Sequence, residues 1–277
     1  MSKEINDSVC ILFKATRKFH RLQQTEFAAI LGVTQGTISK VEAASMAPDL
    51  NLWFNFLKSF DIQDPYCFTY NALELNESAF LKLKTDGSPF LPRFDYKKDN
   101  CITTVKTIRP LYDFLIGNHS KTFESFLKDN KISKEIFYIL NHPLTSEFID
   151  TFFSFLNENK ITEKSFSLLN LNFDHSLGRE KQELSSMESS SDIFSILNRS
   201  QQNIIAYEFD GKTGEYFINL NKKGQQLISP LLNSDLILSY NFLYPFHVLK
   251  STKNIKGTIP QILEVKKDQR WKVSYAS

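Results

Sequence analysis

Residues 35 to 40 include polar side chains that can donate or accept hydrogen bonds. Gln35 has an amide that can form a bidentate pair with adenine, and Lys40 has an ammonium that can donate to O6 and N7 of guanine. Thr37 can donate to a phosphate or contact a thymine methyl group, while Gly36 has no side chain and permits close approach. Side chains of these types can therefore hydrogen bond to base edges if the fold exposes them.

A second group of polar residues is cationic and recurs at helical spacing. Its members are Lys14, Arg17, Lys18 and Arg21, at positions i, i+3, i+4 and i+7. They form a stripe on the side of a predicted helix away from its apolar face, which consists of Val9, Leu12, Phe13, Thr16 and Phe19. Such a stripe is either a solvated helix face or a surface that binds phosphate, and the spacing alone leaves both open.

The elements that position these residues are predicted to be four short helices. The first runs from Ser8 to His20, and the second, TEFAAILG, spans two turns and stops at Gly32. The third, within VTQGTISKVEAA, has Thr34 as its N-cap. Two short helices joined by a tight glycine turn, with a shared apolar seam, indicate a helix-turn-helix. A fourth helix, DLNLWFNFLKSF, is expected to close the core with Leu50, Trp53, Phe54, Leu57 and Phe60.

The segment LQQTEFAAILGVTQGTISKVE resembles the helix-turn-helix of the λ-repressor/Cro family, also called the XRE type, and the resemblance covers residues 8–62. It implies a recognition helix over 34–43 in the major groove of double-stranded DNA, with base contacts from Gln35, Gly36, Thr37 and Lys40. It also implies an ion pair between Arg17 and Glu42. The expected phosphate contacts are Gln24, Thr34, Arg17, Lys14, Lys18 and Arg21.

This sequence departs from the family pattern at two places. Gln23 replaces the usual Ser or Thr at the start of the second helix, and residues 43–46 lack the family's glycine and basic residues. Acidic and basic residues nearly balance over residues 1–61, so one domain is expected to bind DNA with modest affinity. A homodimer on two half-sites ~34–36 Å apart would restore the affinity.

Composition excludes several other classes. Cys10, Cys67 and Cys101 are widely spaced and form no CxxC pair, so neither a metal site nor a disulfide framework is expected. No nucleotide-binding or nucleophile motif occurs, which favours a protein that is not an enzyme and needs no cofactor. The sequence has neither a signal peptide nor a long apolar run, so a cytoplasmic location without membrane contact is expected.

The rest of the chain predicts an α+β fold overall, in which an all-α domain of the five-helix type (residues 1–62) precedes an α+β domain. Residues 63–100 are interpreted as a connector, and residues 101–277 as a sensor and dimerisation domain with a helical front half and an antiparallel sheet. Expected strands are CITTV, a hairpin around the Asp-Gly pair at 210–211, LILSYNFLY (236–244) and the pair ILEVKK and RWKVSYA. The order of elements resembles effector-binding domains such as that of AraC-family regulators.

The aromatic-rich strands leave three interpretations open: a pocket for a small apolar ligand, a packed sheet face, or a dimer interface. For the whole chain, a transcriptional regulator is the first hypothesis. The alternatives are a protein-interaction module, such as an antirepressor or scaffold, and an enzyme with an attached DNA-binding domain.

Overall fold

A computed structural model describes residues 3–161, 171–178, 180–186, 195–198, 204–210, 215–253, 261–265 and 270–274. Contacts divide the chain into two compact units. Unit 1 comprises Met1–Asp99, Leu115–His142 and Asp174–Arg179, and unit 2 comprises Asn100–Phe114, Pro143–Phe173 and Glu180–Ser277. Helices predominate at the N-terminus and small antiparallel sheets follow, so the predicted α+β class is confirmed.

The α-helices are α1 (Lys3–Phe19), α2 (Gln24–Leu31), α3 (Gln35–Glu42), α4 (Leu50–Ser59), α5 (Leu83–Asp86), α6 (Val105–Asn118), α7 (Ser120–Asp129), α8 (Ser146–Glu158), α9 (Asp174–Leu177), α10 (Glu180–Ser186), α11 (Lys222–Ile228) and α12 (Ser234–Lys253). Short 3-10 helices lie at Cys67–Thr69, Glu77–Lys82 and Lys134–Tyr138. The strands are β1 (Cys101–Thr104), β2 (Pro143–Thr145), β3 (Ile205–Asp210), β4 (Glu215–Leu220), β5 (Gln261–Val265) and β6 (Arg270–Ser274).

Aromatic rings form the core of the four N-terminal helices. Phe13 of α1 stacks on Phe56 of α4 with ring centroids 4.2 Å apart, and it meets Phe27 of α2 edge-on at 6.1 Å. All three side chains are completely buried. Each such pair adds ~0.5–1.5 kcal/mol beyond its burial, so the rings fix the angles at which α1, α2 and α4 cross.

The predicted inner face of α4 was partly wrong. Leu50 and Phe54 are 70% and 57% exposed, whereas the buried residues are Leu52, Trp53, Phe56 and Leu57. A helix places residues three and four apart on one face, and 52, 53, 56 and 57 satisfy that rule together. Leu50 and Phe54 lie on another side of the same helix.

The end of α1 packs into the later part of unit 1 instead of ending at a free surface. The Phe19 ring lies 5.3 Å from Phe80 and 6.2 Å from Phe90, between centroids. Nearby, His142 is fully buried with its Nε2 3.0 Å from the Ser88 hydroxyl. Compact unit 1 thus continues beyond residue 62, where the sequence had predicted a domain boundary.

The described residues of unit 2 form two antiparallel sheets. One pairs β1 with β2, and the other has the strand order β3-β4-β6-β5. The expected hairpin is present as β3 and β4, with Tyr207 opposite Ile218, while residues 211–214 of its turn lie outside the described residues.

The strand predicted over 236–244 is wrong, because this segment belongs to α12. Ile237, Tyr240, Tyr244 and Val248 are completely buried at spacings of three, four and four residues, the period of a helix. Its aromatic residues suggested a strand, but burial of one helical face decides the conformation.

Candidate nucleic-acid interface

The turn between α2 and α3 sets the direction of α3. Gly32 adopts a left-handed conformation with φ of 71°, and the amide of Val33 donates to Ala28 O at 3.0 Å. Thr34 caps α3, since its hydroxyl accepts from the amide of Thr37 at 3.2 Å. The third helix therefore begins at Gln35.

One face of α3 is anchored and the other is exposed. Ile38 and Val41 are completely buried beneath the helix. Gln35, Gly36 and Lys40 are exposed, and Thr37 is half-buried with its hydroxyl 2.9 Å from that of Thr34. Because Ile38 and Val41 fix the helix from below, its first turns present their polar side chains to solvent in a defined orientation.

A chain of hydrogen bonds connects α1 to the start of α3. Arg17 donates to Glu42 from Nε at 2.5 Å and from Nη2 at 2.8 Å, so the expected ion pair is present. Glu42 also accepts from Gln24 Nε2 at 3.0 Å, and Gln24 Oε1 accepts from Gln35 Nε2 at 2.7 Å. The side chains of Arg17 and Glu42 are only 14% and 6% exposed. Two buried charges thus orient an amide on the protein surface.

The geometry of Gln35 is compatible with base reading. An amide nitrogen has two N–H donors, and the bond to Gln24 uses only one of them. The second N–H can donate to adenine N7 while the amide oxygen accepts from adenine N6. Gln24 therefore restricts the rotation of Gln35 without consuming its capacity for a bidentate pair, which lowers the entropy cost of binding.

Gly36 is not required by the fold. A Cβ atom built at this position would meet only Thr34 Oγ1, at the ordinary contact distance of 3.8 Å. Glycine inside a helix costs roughly 0.5–1 kcal/mol relative to alanine. The protein thus gains no packing advantage from the missing side chain, and the small residue matters only for what approaches α3 from outside.

Two lysines of the predicted phosphate-binding stripe are held by an internal carboxylate. Lys18 Nζ lies 2.8 Å and Lys14 Nζ 3.4 Å from Glu135 Oε1. Although burial by itself raises the pKa of Glu135, hydrogen bonds from Lys18 and Ser133 lower it to about 2. Glu135 is therefore ionised at neutral pH. Contact of either lysine with a phosphate would have to compete with this pair.

Arg21 occupies the turn between α1 and α2. It is exposed, has a positive φ of 57°, and donates from Nη2 to the carbonyls of Asp86 at 2.7 Å and Gly87 at 3.0 Å. Because carbonyl oxygens are neutral acceptors, they do not cancel the positive charge of the guanidinium. Its other N–H groups can still donate to an anion. Of the cationic stripe, Arg21 is thus the member most accessible to a phosphate beside the N-terminus of α2.

Glu135 and the Asp86–Gly87 carbonyls were missed by sequence reasoning. Glu135 is separated from Lys18 by 117 residues, and Asp86 from Arg21 by 65. No local pattern signals such pairs, since each depends on how distant segments of the chain pack. The Arg17–Glu42 pair was found only through the register of the family resemblance.

Comparison with known proteins agrees with this geometry. A family model described as helix-turn-helix matches residues 13–65, a range that contains α2, the turn, α3 and α4. No curated protein matches the chain, and no solved structure does. The N-terminal part is thus a helix-turn-helix domain of the XRE type, which supports a DNA-binding regulator of that kind.

The described residues contain no helix that combines the length and apolar character needed to cross a membrane.

Proposed function

We propose that the protein is a sequence-specific transcriptional regulator that reads double-stranded DNA with α3. The observation that carries the proposal is the exposed first half of α3, with Gln35 held by Gln24 and with Lys40 on the next turn. Gln35 pairs with adenine, Lys40 donates to guanine, and Thr37 contacts a phosphate or a thymine methyl. Gly36 lets the helix backbone approach the base pairs.

Phosphate contacts position the domain on the duplex. Gln24 has a second amide N–H and sits where the first backbone N–H groups of α2 lack helical partners, which favours an anion. Thr34 and Arg21 are exposed as well. In this scheme Lys14 and Lys18 contribute less than Arg21, because Glu135 cancels one of their two charges and competes for both ammonium groups. Arg17 acts chiefly by orienting Glu42 and Gln24.

The protein acts as a homodimer in this proposal. The near balance of charge over residues 1–61 and the pairing of Lys14 and Lys18 with Glu135 limit how many phosphates one domain neutralises. Two domains on half-sites ~34–36 Å apart would double that number.

The second unit would supply dimerisation and the response to a small apolar ligand. A cavity of about 10 Å³ lies among Ile102, Thr107, Phe153, Tyr240 and Asn241. This volume admits one water molecule, so a larger apolar ligand would have to displace the lining side chains.

Selection from a pool of random duplexes tests the proposal. We expect the wild-type protein to enrich one motif. Gln35→Ala and Lys40→Ala are each expected to relax preference at one base position, at a cost of ~1–3 kcal/mol for the preferred base. If no motif is enriched while the protein captures another protein, the interaction-module hypothesis replaces this one. Unchanged base preference in both variants would refute the assignment of these residues.

A further inference from the structure

The turn between α1 and α2 is fastened to a segment outside the helix-turn-helix match. The bonds from Arg21 to the carbonyls of Asp86 and Gly87 hold α5 against this turn. Three residues before the start of α5, the Phe80 ring packs edge-on against Phe19 with centroids 5.3 Å apart. Residues 80–87 are thereby positioned beside the start of α2, although the family match ends at residue 65.

This segment adds positive charge at that point. Lys82 and Lys84 are exposed on either side of the buried Leu83. Lys82 follows Phe80 by two residues, and the Phe80 ring contacts Phe19, so the Lys82 charge lies near the C-terminal end of α1. Burial and this charge lower the pKa of His20 there. The turn and this segment together carry three exposed cations, Arg21, Lys82 and Lys84, against the exposed carboxylates of Asp86 in the segment and Glu26 in the first turn of α2.

The placement differs from that of the other lysines near α1. Lys14 and Lys18 share one partner, Glu135, whose ionised carboxylate compensates one of their two charges. Arg21 instead has carbonyl partners, and Lys82 and Lys84 are exposed, so positive charge is also presented at the end of α1, next to the N-terminus of α2. The partial positive charge of a helix N-terminus reinforces the attraction for anions there.

We infer that Arg21, Lys82 and Lys84 form a DNA-backbone site that grips phosphates flanking the base pairs read by α3. The inference rests on the proposed function and extends it, because two of the three cations come from a segment beyond the helix-turn-helix domain. The site binds without regard to sequence, since phosphates carry no base identity. Because the site contacts flanking phosphates, the protein needs a longer duplex for full affinity than the base pairs read by α3.

The test compares the salt dependence of binding to the selected duplex. Lys82→Ala/Lys84→Ala is expected to weaken binding by about tenfold or more at 0.1 M salt and to reduce the slope of log K against log salt by about 1.8, or ~0.9 for each lost phosphate contact. The matched control Lys121→Ala/Lys128→Ala removes two exposed lysines of α7 and is expected to leave the slope unchanged. Trimming the flanks of the duplex is expected to abolish the difference between wild type and the first variant.

The possible outcomes separate the inference from the function beneath it. An unaltered slope in the Lys82/Lys84 variant, with specific binding intact, overturns the inference alone. An equal loss of slope in the Lys121/Lys128 control also overturns it, because the effect would then be general electrostatics. Failure of the wild type to bind any duplex specifically is a failure of the proposed function. Thermal melting checks each fold, and Lys82→Gln/Lys84→Gln replaces the alanine pair if that pair melts early.

Discussion

Glu42→Ala is expected to lower the free energy of unfolding of unit 1 by about 3 kcal/mol, since removal of one partner strands a buried charge. The Arg17 guanidinium, only 14% exposed, would keep a single described acceptor, the carbonyl of Leu22 at 2.9 Å. Urea denaturation in a Trp271→Phe background measures the effect, because the remaining tryptophan, Trp53, is buried in α4.

Two further variants make this prediction specific. Glu124→Ala removes an exposed carboxylate on α7 and is expected to change stability by less than about 0.5 kcal/mol. Arg17→Met/Glu42→Leu replaces the ion pair by apolar groups and is expected to restore most of the lost stability. DNA affinity is expected to be lower than in the wild type in both Glu42→Ala and the double variant, because Gln24 no longer has Glu42 as acceptor. A loss below about 1 kcal/mol in Glu42→Ala would show that the pair is solvated.

Gly36→Glu is expected to weaken binding to the selected duplex by about a hundredfold without loss of stability. The added side chain has room within the protein, since only Thr34 Oγ1 lies within 4 Å of the new Cβ. An acidic residue in the first turn is also favourable for the helix. Inside a groove, however, its bulk and its charge among phosphates oppose binding by several kcal/mol. Fluorescence anisotropy gives the affinity, and thermal melting gives the stability.

Gly117→Glu provides the matched control. Gly117 is an exposed residue of α6, and nothing lies within 4 Å of a Cβ built there. The substitution changes the net charge by the same amount as Gly36→Glu, so it is expected to reduce affinity only slightly. Equal binding by both variants would mean that α3 does not enter a groove.

The helix-turn-helix could be predicted because its determinants are local. Amphipathic spacing, the left-handed Gly32 and the Thr34 cap each act within a few residues. The same reasoning failed at Leu50 and Phe54, where apolar type was mistaken for burial, although the helix itself was located correctly. When apolar residues occur on more than one side of a helix, the sequence alone does not show which side is buried.

The remaining features depend on packing between distant segments. The pairing of Lys14 and Lys18 with Glu135 gives two members of the predicted phosphate-binding stripe an internal partner. The segment 236–244 is rich in residues that favour strands, yet α12 buries one helical face there. In both cases the tertiary environment overrides a reasonable local preference.

Methylation interference on the selected duplex tests most directly whether α3 reads the major groove. Dimethyl sulfate modifies guanine at N7 in the major groove and adenine at N3 in the minor groove, so one reagent examines both. We expect N7 methylation of guanines within the motif to block binding and N3 methylation of adenines within the same motif to be tolerated. Binding that survives N7 methylation and is lost on N3 methylation would contradict the proposed role of α3.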